Sequence, residues 1–251
     1  MKKTATVLLS TVCAISMAAC TGGKGNVDTT TAETVKTEAA TEKASVNETT
    51  VETTEAKSEK ILGGWSINES VLPKDNAEAI TAFEKATKDI TGYGYEVIAV
   101  LGSQVVAGTN YSYLCKGLVM VPDAEAEYII VNVCEDLNGD AKLTGSKEVL
   151  ENNNGEWNYN QGDAEILKND DVSPVFEKAL DGLTGVTYDP VAYIANKDGK
   201  YIILSLATTF TQEPQKSFVL LYIDTKDDGT ATIEDIKDVD IFAPEMSDNQ
   251  N

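Results

Sequence analysis

The chain reads as an α+β protein made of two copies of one unit, each a single helix packed across an antiparallel sheet of four to five strands. Three observations predict this. Ala79, Ala82, Phe83, Ala86 and Ile90 recur at helical spacing, so one segment carries an apolar stripe on one face. Short β-rich runs separated by turn residues follow that segment, which gives a helix across one face of a hairpin-built sheet. The whole pattern then recurs further along the chain in near-constant register.

Ahead of the first copy come two segments of different character. Residues 1–20 carry Lys2-Lys3, an apolar run from Ala5 through Ala19 broken only by small hydroxyl residues and Cys13, and then Ala18-Ala19-Cys20. A charged start, an apolar middle and small residues before a cysteine form a signal peptide. The last part resembles the lipobox of bacterial lipoproteins, with Met17 where Leu is usual, which implies lipidation at Cys20. The expected location is therefore outside the cell membrane, anchored to it and facing outward. Residues 21–60 are Thr-, Glu-, Ala-, Lys- and Ser-rich, with no aromatic residue, Leu or Ile. They cannot bury enough apolar surface to offset ordering entropy, so a disordered tether is expected. Such a segment spans roughly 35 Å as a coil.

The first unit, residues 61–151, opens at Ile61-Leu62-Gly63-Gly64-Trp65. Pro73 precedes Asp75-Asn76-Ala77-Glu78, which reads as an acidic N-cap with Glu three residues on. Gly92 closes the helix. Tyr95–Leu101 is the first long strand, with a bulge expected at Gly102-Ser103. Gln104-Val105-Val106-Ala107-Gly108 is a small, uncharged turn. Tyr111 to about Val121 is the next strand, and Pro122-Asp123 breaks it. Tyr128–Cys134, the Leu137-Asn138-Gly139-Asp140 turn, and a strand from Ala141 to about Leu150 complete the unit.

The second unit, residues 155–243, repeats it. Phe83-Glu84-Lys85-Ala86 returns as Phe176-Glu177-Lys178-Ala179, Thr91-Gly92 as Thr184-Gly185, Tyr95 as Tyr188 and Ala99 as Ala192, all at an offset of 93. Upstream, Gly63-Gly64-Trp65 faces Gly155-Glu156-Trp157. Downstream the offset falls to 90, with Tyr111 facing Tyr201, Leu114 facing Leu204 and Gly139 facing Gly229. The change lies in the interval containing residues 104–108, where the second copy has the charged hairpin turn Asn196-Lys197-Asp198-Gly199-Lys200. Residues 244–251 are expected to be a disordered tail.

The string Gln104-Val105-Val106-Ala107-Gly108-Thr109-Asn110-Tyr111 closely resembles the first inhibitory hairpin of the cystatin and stefin inhibitors of papain-like cysteine proteases. Gly63-Gly64 just before the domain, the Leu137-Asn138-Gly139 turn and Leu143-Thr144-Gly145 after it are similar to further parts of that pattern. Trp65 is larger than the residue that usually follows the glycine pair, and Asn138 stands where stefins carry Pro. The resemblance implies two cystatin-like domains, the second degenerate. It also implies a wedge in which the N-terminal glycines and two hairpin loops fill a protease cleft without being cut. Gly63, Gly64, Gln104, Val105, Val106, Ala107, Gly108, Leu137, Asn138 and Gly139 would contact the protease. The residue types suit this, since the glycines let backbone pass close and the loop side chains carry no charge needing desolvation.

Net charge of -21 disfavours nucleic acid and anionic membrane surfaces as partners. With no histidine, His-dependent triads, Cys-His pairs and imidazole ligands are excluded. No other acid-base or nucleophile constellation stands out, so the chain is expected not to be an enzyme, to use no cofactor or metal and to act as a monomer. Asp136-Leu137-Asn138-Gly139-Asp140 resembles the start of a calcium loop, but Ala141 and Lys147 stand where Gly and an acidic residue are needed, so a hairpin turn is expected. Cys115 and Cys134 would face each other if their hairpin centred between Ala124 and Glu125. A disulfide is then one reading and two reduced cysteines the other. The rival functional reading is a non-inhibitory surface binding or adhesion lipoprotein on the same scaffold.

Overall fold

Two five-stranded antiparallel sheets, each carrying one α-helix, make up the fold. The structure is a computed structural model and describes residues 64–150 and 155–242. The signal peptide with Cys13 and Cys20, the tether, Gly63 and the 244–251 tail lie outside the described residues. The first repeat runs β1 Trp65–Ile67, a 3-10 turn Pro73–Asp75, α1 Ala77–Thr87, β2 Tyr93–Val106, β3 Gly108–Val119, β4 Glu127–Glu135 and β5 Ala141–Glu148, with sheet order β1-β2-β3-β4-β5. The second runs β6 Asn158–Tyr159, a 3-10 turn Ile166–Lys168, α2 Ser173–Leu180, β7 Val186–Lys197, β8 Lys200–Thr209, β9 Lys216–Thr225 and β10 Ala231–Val239, in the equivalent order.

The helix stripe behaves as its spacing requires. Ala79, Ala82 and Phe83 are buried against Val100, Tyr113, Cys115, Ile129, Val131 and Val133 on one face of the first sheet. Phe83 meets Tyr113 edge-on at 4.9 Å, and the Tyr113 hydroxyl donates to the Ala79 carbonyl. Ile90 falls beyond the last helical turn. The N-cap is Asn76 rather than Asp75. Its side chain does not reach into the helix but donates back to the carbonyls of Ser70 and Leu72 and accepts from Asn68, tying the helix entry to β1. The expected bulge is real but lies a residue or more earlier, at Ile98 and at Leu101.

The repeat register holds in three dimensions. Phe176 and Ala179 are buried under α2 as Phe83 is under α1. Gly139 and Gly229 share a positive φ of 81° and 80°. Lys85 Nζ donates to the Gly139 carbonyl, and Lys178 Nζ to that of Gly229. The Asn196–Lys200 turn is the tight hairpin its sequence predicts, with Asp198 and Gly199 at φ 48° and 79° between paired Lys197 and Lys200.

The faces opposite the helices pack on each other. Leu101, Leu114, Tyr128 and Ile130 from one sheet share a core with Ile194, Ile202, Leu204, Phe218 and Leu220 from the other. The layers therefore run helix, sheet, sheet, helix within one contact unit, Ala56–Asn251. One pair of contacts between the repeats is reciprocal. Glu69 pairs with Lys216, while Gln161, the counterpart of Glu69, exchanges two 2.9 Å hydrogen bonds with Ala126, the counterpart of Lys216. This is the pattern of an isologous two-fold interface built within one chain.

The disulfide reading is corrected. Cys115 is paired with Ile129 and Cys134 with Asn110, five positions apart along the β3–β4 ladder and on opposite faces of it. Both thiols are free. The ladder is offset because β3 leaves β4 at Gly117 and Pro122-Asp123, with Asp123 at φ 59°, turns the chain before the centre that a direct pairing needs.

Candidate functional site

The β2–β3 hairpin turns at Ala107, with Val106 opposite Gly108, Val105 opposite Thr109 and Gln104 opposite Asn110. The last pair is reinforced by its side chains, Asn110 Nδ2 donating to Gln104 Oε1 at 2.8 Å. Gln104 thus braces the loop base through a side chain. Glycine at 108 is demanded by its neighbours. Its φ is 119°, and a Cβ there would land on the Glu135 carbonyl oxygen and 2.9 Å from Asp136 Cα. Removing that one carbon lets the hairpin lie directly against the start of the β4–β5 turn.

That turn is tied by side-chain bonds from within and from α1. Asp136 Oδ1 accepts from the backbone N–H groups of Asn138 (2.8 Å) and Asp140 (3.1 Å). These two bonds, with lesser help from others, hold its carboxyl below the ordinary aspartate range. Lys85, reaching over from α1, donates to the Gly139 carbonyl at 2.8 Å and pairs with Glu135 at 3.0 Å. Among the described residues no group of three His, Cys, Asp or Glu is arranged to hold a metal.

On the other flank, Trp65 is paired with Gln104 in the β1–β2 ladder, so Gly64 enters beside Val105. One end of the first sheet therefore brings together Gly64, Gln104 to Gly108, and Leu137 to Gly139, in that order across the strands. Gly63 lies outside the described residues. Val106 is 41% exposed and Leu137 81%, so each puts an apolar side chain out at this edge. Ala107 and Asn138 are also exposed, while Gln104, Val105, Gly108 and Gly139 are half-buried and form the base. The crest of the edge is thin backbone with the uncharged side chains of Val106, Ala107, Leu137 and Asn138, flanked in the β4–β5 turn by exposed Asp136 and Asp140. A cleft of about 810 Å³ flanks it on the helix side, lined by Glu69, Asp75, Glu78, Ser103 and Tyr111 among others.

Sequence reasoning missed one part of this edge. The chain after β10, Asp240-Ile241-Phe242, crosses back onto the first sheet. Phe242 packs on Trp65 with ring centroids 4.5 Å apart. The available signal was the apolar pair Ile241-Phe242 standing past the last strand with no partner in its own repeat.

No family model, no curated protein and no solved structure matches the chain.

Proposed function

We propose that the protein is a reversible, tight-binding inhibitor of papain-like cysteine proteases, built on a tandem pair of cystatin-like repeats and held outside the membrane by a lipidated Cys20 and a charged tether. It is not an enzyme on this reading and needs no cofactor. The observation that carries the reading is the alignment of Gly64, the Gln104–Gly108 hairpin and the Leu137–Gly139 turn along one ridge whose crest residues are uncharged. A ridge of this kind fits a cleft whose floor is a catalytic thiol. Backbone at Gly64 and Gly108 approaches closely, and Val106 and Leu137 lose water, each such side chain favourable by roughly 1.5–3 kcal/mol when fully buried. The hairpin and turn are preformed, held by the Gln104–Asn110, Asp136 and Lys85 bonds, which limits the entropy lost on docking. The substrate-like hazard of cleavage is avoided because the hairpin enters as a closed turn rather than as an extended strand.

The test uses the whole chain beyond residue 20, because the shared core between the sheets would be laid bare in a single repeat. Hydrolysis of a small peptide substrate by papain is measured with increasing protein, beside Val106→Asp and Gly64→Arg. Competitive inhibition lost in Val106→Asp and weakened, with a measurable remainder, in Gly64→Arg supports the reading. Unchanged hydrolysis at micromolar folded protein overturns it and favours a surface binding or adhesion module.

A further inference from the structure

The second repeat has no ridge of its own: its hairpin turn is charged and short. It does, however, send its C-terminal segment onto the first repeat. Gly102, Ser112, Asn132 and Gly145 face one another in an unbroken row across β2, β3, β4 and β5. The Ile241 carbonyl lies over that row, accepting from Ser112 Oγ and, at 3.3 Å, from Asn132 Nδ2. Ser112 and Asn132 are buried polar side chains; the Ile241 carbonyl is the acceptor for the Ser112 hydroxyl and shares Asn132 Nδ2 with the Tyr111 carbonyl. Gly102 gives the strap room, since a Cβ there would stand 2.9 Å from Ile241 Cδ1. Lys147 fastens both ends, bonding Asp240 at 2.9 Å and the Phe242 carbonyl. The strap ends with the Phe242 ring on Trp65.

Trp65 is the first residue of β1, and β1 is an edge strand of three residues with three pairings to β2. The far end of this short edge strand is held at Asn68, which donates to the Leu101 and Val100 carbonyls, whereas the Trp65 end has its pairing to Gln104 and the ring packed on it. Its start is also where Gly64 enters the ridge. We infer that the Asp240–Phe242 strap is a positioning device: Phe242, by stacking on Trp65, fixes the N-terminal limb of the docking ridge, and this is the contribution of the second repeat to binding. The inference rests on the inhibitor reading above. The limb, not the hairpin, is the part it acts on, because Gln104 to Gly108 and the 136–140 turn have their own internal bonds.

The experiment is a double-mutant cycle on the whole chain beyond residue 20, with papain as the probe. Phe242→Ala is combined with Gly64→Arg, which blocks the limb. An aromatic contact of this kind predicts about a threefold to tenfold weaker inhibition for Phe242→Ala, expressed in the dissociation rate. In the Gly64→Arg background the same change should cost nothing further. Phe242→Tyr, which keeps the ring, should restore inhibition. Thermal unfolding of each variant separates the effect from global destabilisation, which would weaken inhibition equally in both backgrounds. Equal, additive losses in both backgrounds overturn the positioning role while leaving the inhibitor reading intact. Absence of inhibition by the unmodified chain overturns both.

Discussion

Gly108→Ala, read against Gly92→Ala, isolates the contact that joins the hairpin to the neighbouring turn. Both glycines have positive φ, 119° and 82°. At Gly92 an added Cβ meets nothing within 4 Å, so alanine pays only for its backbone conformation, about 1–2 kcal/mol. At Gly108 the Cβ meets the Glu135 carbonyl and Asp136 Cα, both backbone, in a ladder where Thr109 is paired with Glu135. Neither neighbour can swing away like a side chain. Strain of about 1–3 kcal/mol is then joined by overpacking of about 1–3 kcal/mol, unless the hairpin peels from β4. Urea unfolding of the whole chain should therefore show Gly108→Ala costing about 2–6 kcal/mol against 1–2 for Gly92→Ala. If the strain is relieved locally instead, amide exchange at Thr109 should accelerate while global stability holds. Equal unfolding costs for the two variants, with Thr109 exchange unchanged, would refute the argument that the ridge is set by this close approach.

Three further outcomes follow from particular atoms. Among the described residues the Ser205 hydroxyl is buried without a hydrogen-bond partner, and its counterpart in the first repeat is Cys115; Ser205→Ala should leave stability unchanged or raise it by about 1–2 kcal/mol in thermal or urea unfolding. A thiol reagent should label Cys134 in the native protein and Cys115 only on unfolding, since burial pushes the Cys115 thiol well up, and reductant should leave the melting temperature unchanged. Asp136 titrates below its ordinary 3.8 because backbone N–H groups stabilise its carboxylate. A depressed folded value means that its support for the turn is present above the unfolded pKa and is lost as pH falls through the folded one. Protection of the Asn138 and Asp140 amides, taken relative to their intrinsic exchange at each pH, should therefore fall on acidification below about pH 4, and Asp136→Ala should remove that dependence.

Much of the fold was legible because helix spacing, turn residues and the repeat all pointed the same way. Phe83 and Phe176, or Gly139 and Gly229, keep their register because each pair does the same work in its own copy. The helix cap was misread by one residue because Asn76 spends its side chain on the incoming loop rather than on the helix, a tertiary choice that local pattern does not contain. The packing of sheet on sheet left a visible mark. Tyr128-Ile129-Ile130-Val131, Ile202-Ile203-Leu204 and Phe218-Val219-Leu220-Leu221 are continuous apolar runs, whereas an antiparallel strand with one solvated face should alternate. Those runs announce burial on both faces but not the partner. Of the two cysteine readings the reduced one holds, because the hairpin centres at Pro122-Asp123 rather than between Ala124 and Glu125, and β3 outruns β4 to stay paired with Tyr93. At the ridge the three segments were legible one by one. The strap was not, because its partners Ser112 and Asn132 lie 129 and 109 residues from Ile241.

The most direct measurement is amide hydrogen exchange along the whole chain beyond residue 20, with and without a saturating excess of papain. The inhibitor reading predicts slowed exchange concentrated at Trp65, Gln104 to Gly108 and Leu137 to Gly139, with the Asn196–Lys200 and Asp227–Thr230 turns of the second repeat unchanged. Protection centred on those second-repeat turns, or an exchange pattern that papain does not alter anywhere, would contradict it.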